Sequence, residues 1–248
     1  MNLLVDLGNS RLKWALAQGP EWRSGGFAYG AQMAPDLDRE WSHVVRPRRI
    51  VVASVSSVER ARVLDSWVRD RWALPVDFLE PGRSQLGVTN TYDDPARLGA
   101  DRWAALIAAR HLCTGPACIV DCGTAVTLDA LGGDGVYRGG VILPGIALMR
   151  ECLRTGTAGI RSVDGRDDSC LARNTADAVA AGTVFGVAGA VTRIIEEFRP
   201  VLGTGMRVIF SGGAATPVIA RLAGRLGSVT QEPDLVLKGL SLIAEALP

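Results

Sequence analysis

Apolar and polar positions along the chain switch between two periods. Leu3-Leu4-Val5 is a short apolar run ending on Asp6, and Leu7-Gly8-Asn9-Ser10 supplies turn residues behind it. Leu12, Trp14 and Leu16 then recur at every second position, so Arg11–Ala17 reads as a returning strand with one buried face. Arg49–Ser54 is a strand rich in β-branched residues, Ser57–Arg71 has helical spacing, and Val76–Leu79 is another short strand. Asp101–Leu112 reads as an amphipathic helix, with Trp103, Leu106 and Ile107 on one side and Arg102 and Arg110 elsewhere. Thr175–Phe198 is a long helix, apolar first and charged at its end. Met206–Phe210 is a strand running into Ser211-Gly212-Gly213-Ala214-Ala215, after which Thr216 caps a helix and Pro217 opens it. Gly139–Leu143 reads as a buried strand closed by a Pro144-Gly145 turn.

The first hairpin has an echo about half a chain later. Cys118-Ile119-Val120-Asp121 is again an apolar strand ending in aspartate, Cys122-Gly123-Thr124-Ala125 is the turn, and Val126–Leu131 returns. Two halves that open alike point to a duplicated α/β domain with mixed sheets covered by helices. The cut is expected near Thr114-Gly115-Pro116, giving domains over 1–115 and 116–248.

Composition narrows the function class. The 248 residues carry 27 Lys+Arg against 26 Asp+Glu, a net charge of +1, which lacks the basic footprint of a nucleic-acid or anionic-membrane binder. The charge-free stretch Ala178–Thr192 is too short for a span of about 20 apolar residues, and three glycines interrupt it. With no basic leader before a long apolar core, the expected location is the cytoplasm. Five cysteines without a CxxC pair, and two histidines without ligand spacing, read as reduced thiols rather than a zinc site. All but two of the 27 cationic residues are arginine, and one of the two lysines, Lys13, falls beside the first glycine turn.

That turn has phosphate chemistry open to it. Backbone N–H groups of a glycine turn can cradle phosphate oxygens, Asn9 and Ser10 add neutral donors, and Lys13 offers a point charge. Asp6, at the strand end, can hold Mg²⁺ directly or through water. A plain Asn-containing β-turn would have the same sequence; the matching Asp121-Cys122-Gly123-Thr124 turn favours a nucleotide clasped by two such turns. Gly212 and Gly213 would let a base or ribose approach the backbone, or would serve only as a strand-to-helix turn. Neither GxxxxGK[ST] nor GxGxxG occurs. Between the hairpins, Tyr92-Asp93-Asp94-Pro95-Ala96-Arg97-Leu98-Gly99-Ala100-Asp101-Arg102-Trp103 is a polar loop opening a helix. Asp101 there can accept a hydroxyl proton during phosphoryl transfer, and Arg102 can pair with a carboxylate. Equally, Asp101 would suit the first turn of a helix and Arg102 a solvated surface.

Asp6-Leu7-Gly8-Asn9-Ser10, Gly99-Ala100-Asp101-Arg102, Asp121-Cys122-Gly123-Thr124 and Asn174-Thr175 occur in the order found in type III pantothenate kinases. Over nearly its whole length the chain resembles that family. The resemblance implies two ribonuclease-H-like domains of the actin-like ATPase class with ATP in an interdomain cleft. It also implies transfer of the ATP γ-phosphate to pantothenate, the first step of coenzyme A synthesis. It casts Asp6, Leu7, Gly8, Asn9, Ser10, Arg11 and Lys13, with Gly123 and Thr124, as nucleotide-binding residues. Tyr92, Gly99, Ala100, Arg102 and Thr175 become pantothenate-binding positions and Asp101 the catalytic base. Asp6 falls to Mg²⁺ and Asp121 to a monovalent cation, potassium or ammonium. A homodimer is implied as well, with Gly139–Ile146 near its interface and the active site. Ser10 stands where many members carry threonine, and Lys13 is not a general family feature. Two alternatives accompany this reading: a regulatory accessory protein that kept the fold, and another actin-like small-molecule kinase such as a sugar kinase.

Overall fold

Leu3, Leu4, Val5 and Leu7 are all fully buried, so β1 (Asn2–Leu7) has protein on both of its faces. It pairs antiparallel with β2 (Arg11–Gln18), and β2 with β3 (Glu21–Ala28). After α1 (Met33–Trp41), β4 (Arg49–Ser54) runs parallel to β1 on its other side. A helical crossover, α2 (Val58–Trp72), then places the two-residue β5 (Asp77–Phe78) parallel to β4. The sheet order is β3-β2-β1-β4-β5. Leu3, Val5, Leu7, Leu12, Trp14 and Leu16 line one face and pack with Leu37 and Trp41 of α1 and Leu64, Val68 and Trp72 of α2. Two short strands, β6 (Ser84–Gln85) and β7 (Val88–Thr89), form a hairpin ahead of a 3₁₀ turn at Pro95–Arg97 and of α3 (Ala100–Leu112). The structure, a computed structural model, describes residues 1–30, 32–222, 224, 226 and 229–247.

Cys113 begins a second unit, Cys113–Pro233, and the first comprises Met1–Leu112 together with Asp234–Pro248. In the second, β8 (Ala117–Cys122), β9 (Ala125–Leu131) and β10 (Tyr137–Pro144) form an antiparallel meander. Two helices follow, α4 (Ile146–Gly156) and α5 (Thr175–Leu202). Next, β11 (Arg207–Ser211) pairs parallel with β8, and α6 (Ala215–Leu222) leads to β12 (Val229–Gln231), parallel to β11. The order β10-β9-β8-β11-β12 repeats that of the first sheet, strand direction for strand direction. The repeated hairpin in the sequence is thus the visible part of a repeated sheet.

α5 begins where Asn174 Oδ1 accepts the Asp177 N–H at 2.9 Å, a side-chain cap on the first turn. Its Val184, Val187, Ala188, Val191 and Ile195 enter the core beside Cys118, Val120 and Leu128 of the sheet. By length and composition α5 could cross a membrane, yet half of its most apolar window is buried inside this unit.

The last helix, α7 (Leu235–Ala246), returns to the first unit. Leu235, Leu237, Leu240 and Ile243 are buried, and the helix packs on α3, β1 and β4. Its approach to α3 is so close that a Cβ on Gly239 would collide with the Ala104 backbone. The C-terminal part of the expected 116–248 domain therefore does not stay with that half, because the apolar face of α3 needs this cover. Two local expectations also change. β10 is an exposed edge strand rather than a buried one, with Ile142 62% exposed. α6 starts at Ala215, so Thr216 and Pro217 lie within its first turn and neither caps nor opens it.

Candidate active site

The first turn closes β1 onto β2. Asp6 lies in register with Lys13 across the hairpin and with Ala53 on the parallel strand. The Gly8 N–H donates to the Arg11 carbonyl at 3.1 Å. It is spent on the hairpin, contrary to the reading that the glycine amide faces a ligand. The Leu7 side chain is fully buried in the core, so only its backbone belongs to the turn. Arg11 Nη2 reaches the Gly26 carbonyl at 3.2 Å. Two residues without any motif in the sequence hold this turn. The Tyr29 hydroxyl donates to the Gly8 carbonyl at 2.8 Å, and Arg60 Nη1 donates to the Asn9 carbonyl at 2.6 Å.

The second cluster in the same unit surrounds the start of α3. Tyr92 Oη accepts from Arg102 Nη1 at 2.9 Å, and Arg102 is otherwise buried. Asp101 Oδ1 accepts the Arg102 N–H at 2.7 Å, which fixes the carboxylate over the helix start. Gly99 lies beneath that carboxylate: a Cβ there would be 2.6 Å from Asp101 Oδ1 and 3.6 Å from Val55 Cγ1. Ala100 is buried in the first helical turn. The loop ahead is tied down by Arg83, which donates to the carbonyls of Asn90, Tyr92 and Asp93 at 3.1, 3.0 and 3.3 Å. Trp103 Nε1 donates to Gln85 Oε1 at 2.8 Å, fastening the β6–β7 hairpin to α3. Val55 links the two clusters. It follows β4, donates its N–H to the Leu7 carbonyl at 3.2 Å, and touches the Gly99 position. The Asp6 turn and the Tyr92–Arg102 cluster thus share the carboxyl end of the parallel strands β1 and β4, where open α/β sheets bind ligands.

The second unit builds its own turn at the corresponding end of β8. Asp121 lies in register with Thr127 of β9 and Ser211 of β11. The Gly123 N–H closes on the Ala125 carbonyl at 2.9 Å, as Gly8 does in the first hairpin. Gly212 has φ +87°, and a Cβ there would collide with Asp121 Oδ1 and the Cys122 carbonyl. Burial pushes the neighbouring Cys122 thiol up to about 12, with the Asp121 charge adding to it. The Ala214 N–H reaches the Cys122 carbonyl at 3.0 Å, and the Gly145 N–H the Thr124 carbonyl at 2.9 Å. The starts of α4 and α6 therefore converge on this turn. Beside them lies a pocket of about 420 Å³ lined by Ile146, Arg150, Val184, Gly213, Ala214 and Pro217. Thr175, exposed on the first turn of α5, belongs to this unit, whereas Tyr92 and Asp101 belong to the other.

The donors suit the groups that the sequence implies. Among the described residues no three His, Cys, Asp or Glu side chains cluster as a metal cage. The half-buried Asp6 carboxylate at the end of β1 is a hard oxygen donor of the kind that fits Mg²⁺. Asp121, backed by the Gly212 bend, offers one carboxylate, a donor type that fits a weakly held monovalent ion.

A sequence model of the family described as type III pantothenate kinase matches residues 2–197. A curated relative of that name from Halorhodospira halophila is 38% identical over 97% of this chain and 96% of its own. Among solved structures, a Campylobacter jejuni protein described as a Baf family transcriptional activator superposes with a TM-score of 0.59. It is 19% identical and covers 98% of this chain and 97% of its own. A Clostridium difficile activator of 2-hydroxyisocaproyl-CoA dehydratase, with ADPNP bound, superposes with a TM-score of 0.55 at 11% identity over 98% of this chain and 93% of its own. These structures establish the actin-like ATPase and sugar kinase fold, with its two mixed sheets flanked by helices. On the family match and the full-length relative together, this chain belongs to the type III pantothenate kinase family.

Proposed function

We propose that the chain transfers the γ-phosphoryl group of ATP to the hydroxyl of pantothenate, giving 4′-phosphopantothenate for coenzyme A synthesis in the cytoplasm. The observation that carries the reading is the Tyr92–Arg102–Asp101 cluster at the same sheet end as the Asp6 turn. Arg102, held by Tyr92, pairs with the pantothenate carboxylate in this reading, since a guanidinium matches a carboxylate edge with paired donors. Asp101, its carboxylate fixed by the Arg102 N–H, accepts the hydroxyl proton as that oxygen attacks phosphorus in line. On the first unit, amides of Asn9 and Ser10 and the Lys13 ammonium stabilise phosphate; on the second, Thr124 contacts phosphate and the pocket beside Gly213 takes the nucleoside. Asp6 would hold Mg²⁺, which would supply neutralisation of phosphate charge, and Asp121 would hold potassium or ammonium. Thr175, in the second unit, keeps its reading as a pantothenate contact from the family resemblance. The exposed Val141 and Ile142 of the edge strand β10 give a second copy of the chain an apolar strip to cover, in line with a homodimer.

Coupled ADP release with ATP, Mg²⁺ and potassium tests the reading. Release that requires pantothenate, is not supported by a panel of sugars and falls when sodium replaces potassium is the expected result. No pantothenate-dependent release from folded protein would move the accessory-protein reading to the front.

A further inference from the structure

We propose that Tyr29 and Arg60 are positioning residues for ATP: they pin the carbonyls of Gly8 and Asn9 so that the turn offers its N–H edge to the phosphates. The inference rests on the reading of the Asp6–Lys13 hairpin as a phosphate turn. The geometry follows from the peptide group itself. In a trans peptide the C=O and the N–H of the next residue point in opposite directions. The Tyr29 hydroxyl, bonded to the Gly8 carbonyl at 2.8 Å, therefore fixes the direction of the Asn9 N–H. Arg60 Nη1, bonded to the Asn9 carbonyl at 2.6 Å, likewise fixes the Ser10 N–H. These are the amides that follow Gly8, whose own N–H is consumed by the Arg11 carbonyl. Either plane, if flipped, would turn a carbonyl oxygen towards the phosphates and repel them.

The pins are built from different elements and support each other. Tyr29 follows β3 and Arg60 sits in the first turns of α2. The guanidinium carbon lies 4.3 Å from the Tyr29 ring centre, and Nη1 also reaches Ser56 Oγ at 3.3 Å. Burial pushes the Tyr29 phenol up to about 12 against the opposing Arg60 charge, and Asp6 adds to the rise. The hydroxyl thus keeps its proton and remains a donor throughout the working pH range. The contacts of Tyr29 and Arg60 go to Gly8, Asn9 and Ser56, so their loss should be felt by ATP more than by pantothenate.

The test measures ATP binding calorimetrically without pantothenate, and the KM of each substrate, for the Tyr29→Phe, Arg60→Lys and Arg60→Ala variants. Tyr29→Phe should weaken ATP about fivefold, the loss of one hydrogen bond. Arg60→Ala should weaken it about ten- to fiftyfold, with Arg60→Lys between, while the pantothenate KM moves by less than about twofold. Millimolar guanidinium ion should restore ATP affinity to Arg60→Ala. Variants that bind ATP as tightly as the native chain would overturn the proposal, as would a parallel rise in both KM values with a fall in Tm, the mark of a merely structural role. A native chain with no ATP affinity would overturn the phosphate turn itself, and the pins with it.

Discussion

Asp101 and Arg102 are adjacent, yet the start of α3 gives them separate tasks. The N–H of Arg102 orients the Asp101 carboxylate at 2.7 Å, while its guanidinium is turned to Tyr92 at 2.9 Å. Replacing Asp101 with Asn keeps this geometry but removes the proposed proton acceptor. Turnover should fall by about 10²–10⁴, with the ATP dissociation constant changed by less than about twofold, as single-turnover and calorimetric measurements would show. The cysteines make a second residue-scale prediction. Burial raises the thiols of Cys118 and Cys122, to about 12 for the latter, so at neutral pH they stay protonated and inert. Cys152 and Cys170 are exposed. Brief iodoacetamide treatment read by peptide mass spectrometry should label these two and spare the buried pair. The acids of the site are legible in the sequence because each lies in a short glycine motif. Tyr29 and Arg60 are not, since their contacts to Gly8 and Asn9 join residues 21 and 51 positions apart.

At the scale of elements, the hairpins were readable because a buried two-residue period and a glycine turn coincide in both. Arg49–Ser54 was equally plain, being a fully apolar strand centre. β3 and α1 escaped notice: β3 leaves Glu21, Trp22, Arg23 and Ser24 exposed, so no alternation marks it. Val141, Ile142 and Leu143 of β10 read as buried in the sequence, yet an edge strand can expose such residues. Gly212 shows what the Gly212-Gly213 pair is for. The first glycine bends the chain onto Asp121, at φ +87°, and the second meets nothing within 4 Å. Gly212→Ala should destabilise the chain by about 1–3 kcal/mol, from the left-handed backbone and the collision with Asp121 and Cys122. Gly213→Ala should cost under about 1 kcal/mol. Thermal unfolding of the two variants side by side checks the contrast.

At the scale of the whole molecule, two units with sheets of identical order each hold part of the proposed site. Asp6, Lys13, Tyr92, Asp101 and Arg102 belong to one, and Asp121, Thr124 and Thr175 to the other. The repeat could be seen from the sequence, but the destination of α7 could not. Its Leu235, Leu237, Leu240 and Ile243 would suit any apolar groove, and only the folded chain shows that α3 supplies it. Gly239→Ala should therefore weaken the first unit by about 1–3 kcal/mol, as α7 is forced off the Ala104 backbone. Hydrogen exchange should show the loss of protection in α3 and α7, with the amides of Cys113–Pro233 unchanged.

The return of α7 also bears on how the protein is made. A ribosome delivers the first unit's strands and α3 early, then all of Cys113–Pro233, and only then the helix that covers α3. Through most of synthesis the apolar side of α3 is left bare, while the inserted unit already has its full sequence. Order of manufacture and order of completion are thereby reversed: the half that emerges first is the last to close.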